Sequence, residues 1–501
     1  MTRALALMVV VLLAGCGRRG SLYDAALAPL PLVATASTVV QVVPQTRRAV
    51  IVKPQEAVPA AVRISAGARA AVRVPQREVV AVLGGTARAP LLDLVDVEAR
   101  SAVSLELPGA FDRLSFSADG RFGLLTADAE VSVGLAARNL NEVGLVNVAA
   151  QTVTRLQLDT EGLSPRFVEF APVVGGRRLV AVALERGVAV FDALHPEVAP
   201  RRIALRPAGS SVDAPVVELL FSRDTHWLFV RALGLDDVIV IELGAEVGAP
   251  LSASINFVAG GVGLADLERA PEATPDAVLA TFTASREVVL LDARGIQDRV
   301  KRLPLPAALT LIAPLSPNRV LLWSLADRTV VVWDAVDGRS GVAALTGVPT
   351  RGFVLPGQER AVLTMATPGV RAGALNAVTV TDEPNRLRVR AQAVQLARPA
   401  TAVALSGDGA AMFLAVPSLE AGPAAVVTLE LATLALSEVV LDAQVSQLFF
   451  LPSAGQVVAE HGPAPLGDVS VLPAGTSDRL AVSRFTDFAF TGDLDRPEDA
   501  R

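Results

Sequence analysis

VAVFD (188–192), VIVIE (238–242), VVLLD (288–292) and VVVWD (330–334) are four copies of one phrase, a short β-branched run that ends on a carboxylate and is followed by turn residues. Three further copies read LVDVE (94–98), VTVTD (378–382) and VVTLE (426–430); weaker ones are LVNVA ending at Ala149 and VSVLP ending at Pro473. Their ends are spaced by 42 to 51 residues along the chain. A run rich in Val and Ile, bounded by turn formers, is a strand. Its recurrence at a near-constant period marks a repeat architecture.

A second phrase precedes the first in several repeats: strand, Ser-x-Asp or Ser-x-Asn turn, strand. It stands as LSFSADGRFGLLTA (114–127), LLFSRDTHWLFVRA (219–232), APLSPNRVLLWSLA (313–326) and VALSGDGAAMFLAV (403–416). Asp and Asn side chains bond back to nearby backbone, and Gly120 and Gly409 accept positive φ, so both suit tight turns. Each repeat is therefore four short strands with no room for a helix. A four-stranded unit of this size is a propeller blade, which needs neighbours to cover its faces. The expected fold is an all-β propeller over residues 70–492. Nine hairpins are counted, against the usual four to eight blades, so eight blades are expected, with seven or nine left open. The first hairpin (90–107) lacks a clear inner strand and TDFAF (486–490) is an extra strand; together they would form a composite blade, with 485–491 closing the ring. A series of β-sandwiches is the alternative, although sandwiches would not repeat a blade phrase this evenly.

The repeats resemble those of WD40-like and YVTN-type bacterial propellers, which carry F-S-x-D-G turns and strands ending in Asp; Trp333-Asp334 even supplies the dipeptide. The Gly-His dipeptide of true WD40 repeats is missing, so their hydrogen-bond tetrad is not expected.

Hydrophobic residues make up 51% of the 501, mean hydropathy is +0.47 and only 19% are charged, values that raise a membrane protein. A spanning helix takes roughly 18 to 20 consecutive apolar residues, and beyond residue 15 every apolar run is interrupted well before that. Forty-five basic and 51 acidic residues give a net charge of −6 with no basic stripe, which argues against nucleic acid as a partner.

Arg3 followed by ALALMVVVLLA (4–14) has the form of a signal peptide, residues 1–15. Leu13-Ala14-Gly15-Cys16 then resembles the lipobox of bacterial lipoproteins. The resemblance implies cleavage before Cys16, acylation of its thiol with palmitate-like chains and attachment to a membrane; two or more chains are needed because one binds only marginally. Gly17 in place of Asp implies, by the same resemblance, the outer membrane of a Gram-negative cell envelope. Cys16 is the only cysteine, so no intramolecular disulfide can form. Residues 16–69, with Pro29, Pro31, Pro44, Pro54 and Pro59, read as a flexible tether with short strands at 38–43 and 49–53. Residues 493–501 read as a disordered tail.

No catalytic constellation stands out. His195, His226 and His461 fall in different repeats without a second His, Cys or metal-spaced carboxylate, whereas metal sites use three or four ligands, so no metal and no cofactor are expected. Trp227, Trp323 and Trp333 occupy apolar strand positions and belong to the core. The innermost strands are almost wholly apolar, with Glu169 and Glu218 the main exceptions.

The leading functional reading is a non-catalytic binding or scaffold module on an envelope membrane, recognising a protein or cell-envelope component. Lipid-anchored propellers of the barrel-assembly machinery are one similar case. The alternative is a periplasmic lactonase-like propeller hydrolase. Binding is placed on the loops joining second and third strands, long at 128–141, 367–376, 417–423 and 461–466 but tight near Glu185, Ser285 and Asp327. These long loops are expected to crowd one sector of one face, and function tends to sit on loops of a rigid scaffold. Arg138, Asn139, Asn141, Arg371, Asn376, Glu420 and His461 supply their polar groups and are the contact candidates.

Overall fold

The computed structural model describes residues 27–482, apart from 57, 129–138, 207–213, 245, 273, 296–299, 356–357, 367–371, 418–423, 462–467 and 474–479. It contains ten sheets, each of four antiparallel strands in sequence order. The blades span residues 33–63, 70–106, 113–157, 165–203, 216–259, 264–304, 311–344, 348–396, 402–441 and 445–482, and are numbered 1 to 10 below. First strands of successive blades meet around the axis and line the central channel. No helix among the described residues is long and apolar enough to cross a membrane.

The second strand of blade 4 shows why the chain reads as uninterrupted apolar runs. In Leu179–Leu184 every residue is buried. Leu179, Ala181 and Ala183 pack with blade 5, while Val180, Val182 and Leu184 pack with blade 3. A strand buried on both faces has no polar side, so alternation disappears. The same arrangement repeats at every blade junction, giving ten apolar clusters between successive blades. Trp227, Trp323 and Trp333 are all buried in them, as expected.

The expectation of eight blades is corrected to ten. Each of the nine hairpins belongs to a blade of its own, and a tenth lies in the stretch read as a tether. Within residues 16–69, Val33–Ala34, Val39–Val43, Arg48–Val52 and Ala60–Arg63 form blade 1. The two short strands expected there are its middle pair. This blade lacks a strand-ending carboxylate, so the repeat phrase passes over it. Nor is the hairpin at 90–107 half of a composite blade. It supplies the outer strands of blade 2, whose inner strands are Ala70–Arg73 and Val79–Gly85. Among the described residues the ring closes where blade 1 meets blade 10: Leu32, Val39, Val50 and Val52 pack with Leu451, Val458, Val469 and Val471, and Ser453 N donates to Ala36 O. The segment 485–491 lies outside the described residues.

The two phrases of the repeat are turn chemistry. In blade 3, Ser117 Oγ accepts from Phe122 N at 3.1 Å and donates to Asp119 Oδ1 at 2.7 Å. Gly120 has φ +62°, and a Cβ there would stand 2.0 Å from Pro75 O, so glycine is required twice over. The strand-ending carboxylates hold the next turn: Asp192 Oδ1 accepts from Arg178 N and Leu194 N, and Asp334 Oδ1 from Val336 N. In LVDVE that role falls to Asp96, which accepts from Glu98 N and Ala99 N.

Candidate functional site

Because strands alternate in direction, each blade's first strand begins, second ends and third begins on one face, here called the upper face. Upper-face connections between second and third strands are three to five residues long in blades 1, 2, 4, 5, 6 and 7. In blades 3, 8, 9 and 10 they occupy 127–141, 367–372, 417–423 and 462–468. The last three are neighbours and form one arc. With ten blades, however, the loop of blade 3 is separated from them by the tight turns of blades 1 and 2, so the single sector expected becomes an arc plus an outlier.

The contact candidates divide. Asn139 is exposed at the base of the blade 3 loop. Asn141 is 1% exposed, and its Nδ2 donates to Asp159 O and Oδ1 at 2.6 and 2.9 Å. Asn376 is wholly buried inside a strand; its Nδ2 donates to Thr346 Oγ1 at 2.6 Å. These two amides brace the upper-face connections from within. His461 ends the second strand of blade 10, half-buried, with Nε2 2.8 Å from Ser470 Oγ and Nδ1 3.2 Å from Gln444 O. Arg138, Arg371, Glu420 and Cys16 lie outside the described residues.

The channel wall carries a second group of polar side chains, concentrated in blades 4, 5 and 6. Glu169 and Glu218, singled out in the sequence, are joined by Asp266 and Glu268, both on the first strand of blade 6. The sequence reading missed that strand because LADLER (264–269) is not followed by the Ser-x-Asp turn. Arg231 Nε donates to Glu218 Oε2 at 2.7 Å, and Arg269 Nη2 to Glu169 Oε1 at 2.9 Å. Asp266 Oδ2 accepts from Ile312 N of blade 7 at 2.9 Å. Burial raises all four carboxyls above their ordinary range against these favourable partners. Glu268 goes furthest, pushed up to about 7 by burial and by the nearby Asp266 and Glu218 charges, although Arg269 opposes the shift. Four carboxyls against two guanidiniums leave this wall sector acidic.

β-Bulges aim the upper rim of that wall. In blades 4, 5, 6, 8 and 10 the register slips at the second or third residue of the first strand: Arg166, Val217, Ala265, Thr350 and Ser446. An inserted residue there turns the next side chain differently from regular pairing. Glu218, Asp266, Arg351 and Gln447 follow the bulges in blades 5, 6, 8 and 10. Beside Arg351, a cleft of about 370 Å³ opens between blades 8 and 9, lined also by Thr350, Thr364, Leu375, Leu396 and Thr401.

Among the described residues, no three His, Cys, Asp or Glu side chains are grouped so as to hold a metal ion. His195 is paired with Glu197 at 3.2 Å on the lower face.

No protein-family model matches the chain, and no curated protein does. Solved structures resemble it at low identity. Dihydro-heme d1 dehydrogenase NirN in complex with DHE is 15% identical, with TM-score 0.42 over 71% of this chain and 78% of that one. A eukaryotic initiation factor is 14% identical, with TM-score 0.44 over 74% and 90%. The Cps50 (Swd1) beta-propeller domain of Myceliophteria thermophila is 12% identical, with TM-score 0.33 over 73% and 97%. At this level the likeness says nothing of function; the strand order itself makes the chain an all-β propeller of four-stranded blades.

Proposed function

We propose that the ring is a non-catalytic binding module, held at an envelope membrane by lipid on Cys16, which captures its partner with the upper-face loops of blades 8, 9 and 10 and of blade 3. The observation that carries this reading is the inequality of the upper-face connections: six blades close in three to five residues, so the longer loops are not needed to hold a blade. Length beyond structural need, on a rigid scaffold, is where binding groups are placed. Arg138, Asn139, Arg371, Glu420 and His461 are the contact groups; Asn141 and Asn376 hold the loop bases. Gly17 favours the outer membrane as the address.

The test is to shorten 367–371 and 418–423 to tight turns and to compare capture of membrane components by the full-length protein. Capture is lost while the melting temperature stays within a few degrees; retained capture overturns the assignment to these loops. A hydrolytic reading of the lactonase-like kind would rest on the channel carboxylates Glu218, Asp266 and Glu268, since Glu268 can exchange a proton near neutral pH. Turnover of a lactone or ester that Glu268→Gln abolishes would select it instead.

A further inference from the structure

In three of the bulged blades the residue after the bulge is engaged by the chain itself. Phe167 of blade 4 packs against the core shared with blade 5. Glu218 of blade 5 is held by Arg231, and Asp266 of blade 6 accepts from Ile312 N of blade 7. In blade 8 the same station belongs to Arg351, whose cross-strand neighbour is Thr364. Arg351 is exposed, and among the described residues its guanidinium has no hydrogen-bond or ion-pair partner.

The cleft of about 370 Å³ lies where a contact with the next blade would otherwise stand. Its volume is that of a small-ligand site, roughly 300–1,000 Å³. The sequence leaves this space open. The first strand of blade 9, Ala402–Leu405, has four residues against the eight of Val348–Leu355 in blade 8. These two strands approach each other less than the first strands of blades 6 and 7 or of blades 9 and 10. The chain enters blade 9 through Pro399 and Ala400, which are too small to fill the gap. Backbone contacts fix the walls: Arg398 Nη1 donates to Pro417 O across the junction, and a Cβ on Gly373 would stand 2.4 Å from Arg398 O.

The lining divides into a cationic end and an apolar body. Its hydroxyls are spent on the protein: Thr350 Oγ1 lies 2.8 Å from Thr364 Oγ1 and donates to Thr364 O at 3.2 Å, and Thr401 Oγ1 donates to Ala415 O at 3.3 Å. The guanidinium of Arg351 is thus the one uncommitted donor among the lining side chains. No Asp or Glu lines the cleft. The carboxylates of blades 8 and 9 stand at the lower turns or on and beyond the outer strand of blade 9, as with Asp382, Asp408, Glu438 and Asp442; Glu420 lies outside the described residues. Leu375, Leu396, Val403, Met365, Pro399 and Ala400 supply the apolar wall. A guanidinium holds a carboxylate by two parallel bonds. A sugar would leave its hydroxyls unmatched against this wall. From this geometry we infer that the cleft between blades 8 and 9 binds a carboxylate with a short aliphatic body, the head on Arg351 and the body against Leu375, Leu396 and Val403. A free aliphatic acid and the C-terminus of a peptide ending in an aliphatic residue share that chemistry. The inference rests on neither the lipid nor the loops; it adds a small-ligand site at the foot of the blade 8 loop, which Ala366 and Gly373 flank.

The experiment is equilibrium dialysis of the full chain carrying Cys16→Ser, so that no acyl chain competes, against labelled octanoate, octanamide, acetate and the peptide acetyl-Gly-Gly-Leu with a free or an amidated C-terminus. One octanoate binds per chain. Octanamide binds at least about tenfold more weakly because it carries no charge for the guanidinium, and acetate does so because it leaves the apolar wall uncovered. Arg351→Gln lowers octanoate affinity to that of octanamide. The melting temperature stays within a few degrees, since the guanidinium bonds to no described group. Ala400→Trp fills the cleft and abolishes binding, whereas Arg328→Gln, in the upper turn of blade 7, leaves it unchanged. Tighter binding of octanoate than of the free peptide identifies a free acid as the natural source; the reverse order, lost on amidation, identifies a peptide end. No saturable binding of either carboxylate, equal binding of octanoate and octanamide, or octanoate binding that survives Arg351→Gln or Ala400→Trp overturns the inference.

Discussion

Arg269 and Glu169 stand 100 residues apart in the chain, yet Arg269 Nη2 lies 2.9 Å from Glu169 Oε1. Arg269 belongs to blade 6 and Glu169 to blade 4; on the way the guanidinium Nε donates to Phe221 O of blade 5 at 2.9 Å. One side chain therefore ties three successive blades at the channel wall. Both partners are about one-third exposed, so solvent screens the pair and its worth is modest. Arg269→Met is expected to destabilise the protein by about 1–2 kcal/mol, mostly through the lost bond to Phe221 O. A double-mutant cycle with Glu169→Gln, read by denaturant melts, should return a coupling of about 0.5–1 kcal/mol. Strict additivity would show that the ion pair contributes nothing.

Glu268 makes stability depend on pH in a defined direction. Its carboxyl is pushed up to about 7 when folded, from an ordinary 4.5, first by burial. Folding therefore takes up a proton inside that window, and the stabilisation, complete below about 4.5, is lost as pH rises through 7. Glu169, Glu218 and Asp266 shift in the same sense. Glu268→Gln should flatten the fall in melting temperature between pH 5 and pH 8 and leave the variant more stable than wild type at the alkaline end. Parallel pH profiles would contradict this.

Arg319 of blade 7 is held by three carboxylates. It is 8% exposed, with Nε 2.9 Å from Asp334 Oδ2, Nη1 2.7 Å from Glu359 Oε2 and Nη2 2.5 Å from Asp382 Oδ2. Asp382 sits on the hairpin of two eleven-residue strands in blade 8, whose Leu387 and Val389 fold over blade 7. Gly341 permits that crossing, since a Cβ would meet Leu387 O at 2.6 Å. Arg319→Met leaves Asp334 buried without a cation and should cost about 3–5 kcal/mol. Restoring stability by adding Asp334→Asn would confirm that the stranded charge is the cause.

The all-β fold, the repeat and its four-stranded unit were legible because strand period, turn chemistry and blade length point the same way. Blade 1 was not. VVQVV and RAVIV are buried strands, but with neither the Ser-x-Asp turn nor the terminal carboxylate they match no other repeat, and nearby prolines favour a tether. The channel charges were half legible. Glu169 and Glu218 stand out in apolar strands, whereas Asp266 and Glu268 sit in a strand of mixed polarity that resembles a surface segment. Asn141 and Asn376 show the limit of composition as a guide: a polar residue at a loop boundary can be a buried brace, and only tertiary contacts distinguish the two.

The position of blade 1 is the point on which the rest turns, because it sets the blade number, closes the ring and brings the start of the chain to the loop-bearing face. Ser453 N lies 2.9 Å from Ala36 O across the closing junction. In a Cys16→Ser background, Ala36→Cys and Ser453→Cys should form an internal disulfide under mild oxidation, since bridged Cα atoms stand about 4.4–6.8 Å apart. The predicted result is a monomer of altered mobility on a non-reducing gel, with the 36–453 linked peptide recovered by mass spectrometry. Two free thiols after oxidation, or intermolecular dimers alone, would contradict a ten-bladed ring closed by residues 33–63.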